Sequence, residues 1–129
     1  MKTVLLVEED ALGVRVFSKI LTKRGRLNVK RTENVEEVME IAQAGEADLI
    51  LINILGNCSY QGKAVGVITI TQMLKANPKT AHLPVIIVTA AAINRESFLQ
   101  ETGADDCIFK PVIDHQECIN QIKALLPSD

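Results

Sequence analysis

Short apolar runs rich in Val and Ile alternate along the chain with stretches of helical period. Five runs, residues 3–7, 27–31, 49–54, 85–89 and 107–109, read as strands. The first, third and fourth are apolar almost throughout, as strands covered on both faces of a parallel sheet are, whereas the second and fifth are mixed, as edge strands are. Between them apolar residues recur at helical spacing: Val14, Phe17 and Leu21, then Val38, Ile41 and Ala42, then Val67, Ile70 and Leu74. A last stripe, Ile119, Ile122 and Leu126, runs through residues 115–126. The alternation predicts five strands and five helices.

Local punctuation supports the boundaries. Asn34 followed by Glu37 predicts a capping box at the start of the second helix, and Gly25 after Lys23 and Arg24 predicts the end of the first. Pro78 ends the third helix, Pro84 precedes the fourth strand and Pro111 follows the fifth. Strict alternation in one small unit predicts a doubly wound parallel sheet with helices on both faces. Such sheets hold their sites at the carboxyl ends of the strands. Those ends carry Glu8, Glu9 and Asp10 after the first strand, Asn53 in the third, Thr89 in the fourth and Lys110 after the fifth.

Composition narrows the function. The 129 residues, 47% hydrophobic and 23% charged, suit a single domain spanning 1–129, with no separate output domain expected. A net charge of -2, no Trp and one Tyr argue against a nucleic-acid ligand. The apolar run at the N-terminus is too short for a signal peptide, and no stretch reaches the roughly 18 residues of a membrane span. Cys58, Cys107 and Cys118 are odd in number and lack metal-ligand spacing, so a reducing cytoplasm is the expected location.

With these residues in view, VLLVEED, DLILINIL, PVIIVTA and GADDCIFKP stand in the order and spacing of a receiver domain, and the whole chain resembles the receivers of two-component response regulators. The resemblance implies a flavodoxin-like fold with strand order 2-1-3-4-5 and a non-enzymatic signalling module. It also implies roles. Glu8 and Glu9 match the acids that hold Mg²⁺, and Leu55 matches the position that lends the metal a backbone carbonyl. Asn53 stands at the phosphoacceptor position, and Thr89 and Lys110 match the residues that bind phosphoryl oxygens. The implied partners are proteins: a histidine kinase, a phosphotransfer protein or a downstream target.

Three positions depart from the pattern. Asn53 replaces the acceptor Asp, and a neutral amide is a poor nucleophile with no anionic oxygen to attack phosphorus. Glu9 replaces an Asp and so displaces one ligand by a methylene. Together these imply at most a weak Mg²⁺ site, because the usual three carboxylates and a lysine sum to -2 where Glu8, Glu9 and Lys110 sum to -1. Cys107 occupies the position of the aromatic switch residue. The sequence therefore predicts a pocket in which Asn53 can still accept a hydrogen bond from Lys110 but takes no phosphoryl group. Alternative readings are a phosphorelay receiver whose Asp was replaced by Asn recently or by engineering, and a small flavodoxin-like ligand-binding protein or enzyme.

Blander readings stand beside these. Glu8, Glu9 and Asp10 are also what a helix N-terminus favours. Free cysteines are usually small buried hydrophobes, and His82 and His115 read as surface or capping residues. The segment 56–63 (GNCSYQGK) reads as a polar loop and lacks the spacing of a phosphate-binding loop.

Overall fold

A computed structural model describes residues 1–53, 58–60, 63–90 and 94–127, with the backbone only at 58–60 and 63–65. The strands β1 (Thr3–Glu8), β2 (Asn28–Thr32), β3 (Leu49–Asn53), β6 (Val85–Thr89) and β7 (Asp106–Phe109) form a parallel sheet in the order β2-β1-β3-β6-β7. Numbered within this sheet, the order is 2-1-3-4-5, the flavodoxin-like arrangement. The two mixed runs are the edges. The helices are α1 (Ala11–Lys19), α2 (Val35–Gln43), α3 (Val67–Ala76), α4 (Arg95–Thr102) and α5 (His115–Leu125).

Side chains along each central strand alternate between two cores. Leu5, Val7, Ile50, Ile52, Val85 and Ile87 pack with residues of α2, α3 and α4, including Val38, Ile70 and Phe98. Val4, Leu6, Leu49, Leu51, Ile86 and Val88 pack with Phe17, Leu21, Ile119 and Ile122 from the α1 and α5 side. The chain thus leaves β1 toward one face and β3 toward the other, which opens a crevice where the adjacent strands end.

Two local expectations need correction, and a third holds for a different reason. The predicted loop at 56–63 is partly an antiparallel hairpin, β4 (Cys58–Tyr60) with β5 (Lys63–Val65). Its strands are too short for alternation to register. Only half of the capping box forms: Glu37 N–H donates to Asn34 Oδ1 at 3.1 Å, but Asn34 N–H goes to Thr32 Oγ1 at 3.0 Å. Gly25 does close the first helix, after a π-helical turn over Ile20–Arg24, but its backbone is right-handed and the positive φ falls on Arg26. Gly25 is required by contact instead. A Cβ there would lie 2.8 Å from Ile119 Cδ1 and 2.8 Å from the Leu21 carbonyl.

Candidate functional site

The parallel register of β1 with β3 sets Glu8 directly beside Asn53. Both are nearly sealed from solvent, at 3% and 5% exposure. Asn53 Nδ2 donates to Glu8 Oε1, and Glu8 Oε2 accepts the Asp10 N–H at 3.3 Å. Arg31 Nε, from β2, donates to the Glu8 carbonyl at 3.1 Å and so ties down the strand end. Asp10 is the N-cap of α1, its carboxylate accepting Gly13 N–H at 3.2 Å. Gly13 leaves room for Glu8: a Cβ at that position would overlap Glu8 Oε1 and force the carboxylate to shift.

Burial pushes the Glu8 carboxyl above the ordinary carboxylate range; the Asp10 N–H, the Asn53 amide, the Lys110 charge and the Glu9 N–H oppose that rise. Asn53 Oδ1 is buried and has no hydrogen-bond partner among the described residues. Such an orphaned acceptor costs about 1–3 kcal/mol. Both side chains line a cavity of about 550 Å³ bounded also by Asp10, Leu12, Val16, Phe17 and Lys110, with Pro111 and Val112 beyond.

Residues 4–123 match the family model of the response regulator receiver domain. This chain belongs to that family. Its curated relatives include the polar-differentiation response regulator DivK of Brucella anthropi, 31% identical over 112 residues that cover 86% of this chain and 85% of that one. The Brucella ovis protein of the same name is 30% identical over the same length. Two solved structures share the fold. A receiver domain of a Pseudomonas aeruginosa sensor histidine kinase, with a magnesium ion coordinated in its active-site cleft, has a TM-score of 0.78 at 20% identity and 98% coverage of both chains. A receiver domain of a Syntrophus aciditrophicus signal transduction histidine kinase has a TM-score of 0.79 at 24% identity, over 98% of this chain and 90% of that one. The protein is therefore a receiver domain of two-component signalling.

Within this receiver the expected site residues separate. Glu8, Asn53 and Lys110 line one cavity, whereas Glu9 is exposed and lies outside its wall. Asp10 takes the wall position because it turns the chain into α1. The expected hydrogen bond from Lys110 to the Asn53 amide does not form; the amide is turned to Glu8, and Lys110 acts on Glu8 through its charge. Thr89 closes β6 half-buried, and its carbonyl accepts Lys110 N–H at 2.8 Å. Cys107 is fully buried in the core of the α2–α4 side, its thiol pushed up mainly by burial, and burial raises the Cys118 thiol to about 11. Leu55 and the Cys58 side chain lie outside the described residues.

Among the described residues the donor set does not fit Mg²⁺, which demands near-octahedral oxygen ligands. Both Glu8 oxygens already accept N–H groups, and among the described residues no three His, Cys, Asp or Glu side chains gather as a metal site.

A second cluster escaped the sequence reading. On the surface formed by α4, β7 and α5, Arg95 Nη1 donates to Asp106 Oδ1 and, at 2.9 Å, to the Cys107 carbonyl. Gln121 Nε2 donates to Asp106 Oδ2 at 3.1 Å and to the same carbonyl at 3.0 Å, and the Arg95 guanidinium lies 5.4 Å from the Phe109 ring centre. Nothing in the spacing of residues 95, 106 and 121 announces this contact. A third feature was legible but unread: residues 11–26 carry five cations and no acid, and the exposed apolar Leu12, Val16 and Ile113 lie beside them.

Proposed function

We propose that this receiver signals without forming an aspartyl phosphate, by binding protein partners in a conformation its own contacts maintain. One observation carries the reading: position 53 holds an amide that donates to Glu8, where an acceptor must present an anionic oxygen. The crowding of Glu8 and the exposure of Glu9 add to it, since neither arrangement supports the divalent ion on which phosphoryl transfer depends.

The surface that receives the signal in this reading is the α4–β7–α5 face. Arg95 and Gln121 converge on Asp106 and the Cys107 carbonyl, which favours one orientation of the three elements without a phosphoryl trigger. A histidine kinase, a phosphotransfer protein or a downstream target is the partner, and the five cations of residues 11–26 favour an acidic one. The module acts as a single domain in the cytoplasm, through contact and not catalysis. Among the described residues no helix is long and apolar enough to cross a membrane.

The test is intact mass after incubation with acetyl phosphate and Mg²⁺. The expected result is an unchanged mass for the chain and a phosphoryl adduct for Asn53→Asp. An acid-stable or acyl-labile adduct on the unaltered chain overturns the reading.

A further inference from the structure

The cations of residues 11–26 lack counter-charges in their own chain. Arg15, Lys19, Lys23, Arg24 and Arg26 are all exposed, and none of the five forms an ion pair among the described residues. The backbone gathers three of them. Arg24 stands five residues beyond Lys19, which an α-helix would carry to another side, but the turn over Ile20–Arg24 is π-helical and closes an i to i+5 bond from Gly25 N–H to the Ile20 carbonyl. Lys19, Lys23 and Arg24 therefore line one groove of about 570 Å³ with Val16, Ile20 and His115. The opposite charge lies on α2. Residues 33–46 carry Glu33, Glu36, Glu37, Glu40 and Glu46, all exposed, and no cation. Lys30 and Arg31 reach only the outermost two, Glu46 at 2.9 Å and Glu33 at 3.9 Å. Glu36 and Glu40 are one helical turn apart, as Lys19 and Lys23 are, so both stripes share a repeat of about 5–6 Å. The two stripes cannot meet within one chain, because α1 and α2 pack against opposite sides of the sheet. A net charge of -2 leaves little repulsion between copies.

We propose that this chain associates with itself head to tail, the Lys19, Lys23 and Arg24 face of one copy taking the Glu36, Glu37 and Glu40 face of the next. Two different patches meet in such a contact, so each copy keeps one face of each sign free for another. The faces lie on opposite sides of the sheet, and a pair of copies therefore does not satisfy both: association is open-ended. Exposed ion pairs are individually weak, which makes the contact weak, reversible and sensitive to salt. Self-association supplies the acidic partner of residues 11–26 invoked above and rests on that reading there. It owes nothing to the chemistry of position 53, so a phosphoryl adduct in the mass assay would leave it standing.

The test is analytical ultracentrifugation of the full chain in EDTA at neutral pH, over concentrations rising into the millimolar range. At about 0.01 M ionic strength, where screening extends over about 30 Å, the weight-average mass should climb past that of a dimer without levelling; at about 1 M, where it extends over about 3 Å, monomer alone should remain. Lys19→Glu with Lys23→Glu, and separately Glu37→Lys with Glu40→Lys, should each weaken association by about tenfold or more. Combining all four reversals in one chain keeps the net charge at -2 and exchanges the signs of the two faces, so it should restore association. The salt series on the unaltered chain keeps the test decisive if a reversed variant fails to fold. A parent that stays monomeric at low salt overturns the proposal and leaves residues 11–26 to a foreign acidic surface. A mass that levels at the dimer, association indifferent to salt or to either folded reversal, or a folded fourfold variant that stays monomeric overturns it as well.

Discussion

The two ends of one sheet treat their polar side chains in opposite ways. At the amino end, Asp48 Oδ2 accepts Thr3 N–H at 2.8 Å, and Asp105 Oδ2 accepts Val85 N–H at 2.8 Å while Lys75 Nζ lies 2.7 Å from the same oxygen. Those carboxylates finish the backbone pairing of β1 and β6 and remain partly in water. At the carboxyl end, Glu8 and Asn53 are driven into the interior, and one acceptor has no partner among the described residues. The difference follows from the crossovers. Helices diverge to opposite faces after β1 and β3, so the carboxyl end is a crevice, whereas the amino end is closed by short connections that bring their own acceptors. Groups that complete hydrogen bonding hold a fold together; groups held short of completion are where a site can act.

The sharpest way to break the contrast is Asn53→Asp without metal. It replaces a donor facing Glu8 by a second carboxylate, so stability should fall by about 3 kcal/mol in urea denaturation with EDTA. An unchanged midpoint would mean that Lys110 neutralises the added acid. At the opposite end, Asp105→Ala strips the Val85 N–H and Lys75 of their shared acceptor and should cost about 2 kcal/mol. If that loss exceeds the first, the carboxyl end is not the more strained of the two.

Gly13→Ala pushes a methyl against the Glu8 carboxylate and should cost about 1 kcal/mol net of the gain in helix propensity. Adding Glu8→Ala should make the same alanine neutral or favourable, a non-additivity that a double-mutant cycle reads directly.

The subtlest test is pH. The folded-state pKa of Glu8 is raised above its ordinary 4.5, so the native state holds that proton more tightly than the unfolded chain does. The stabilisation is complete below the ordinary value and is lost as pH rises through the folded one. Glu8→Gln does not titrate there, so its stability relative to the parent should improve as pH rises through the window above the ordinary carboxylate value. A difference that stays flat over this window would show that Glu8 is not desolvated.

How much of this was legible in the sequence depends on the distance over which each feature is encoded. The hairpin at 58–65 was missed because its strands are too short to carry a period. The Arg95, Asp106 and Gln121 cluster was missed because it joins three elements that are packed together only in the folded chain. Gly13 gave no signal as a lone glycine in a helical pattern, since the room it leaves is for a side chain on β1.

The sequence by itself determined the parallel sheet, its buried centre and mixed edges, and the chemistry of position 53, because strand period, helix period and the choice between an amide and a carboxylate are local properties. Tertiary structure alone decided which acid is buried. The β1–β3 register put Glu8 beside Asn53, and the capping turn at Asp10 carried Glu9 into solvent, although the two glutamates are adjacent and chemically identical. It also decided that the Asn53 amide faces Glu8 and leaves its oxygen without a donor among the described residues, a matter of which polar groups meet in a crevice built from strands 45 residues apart in the chain.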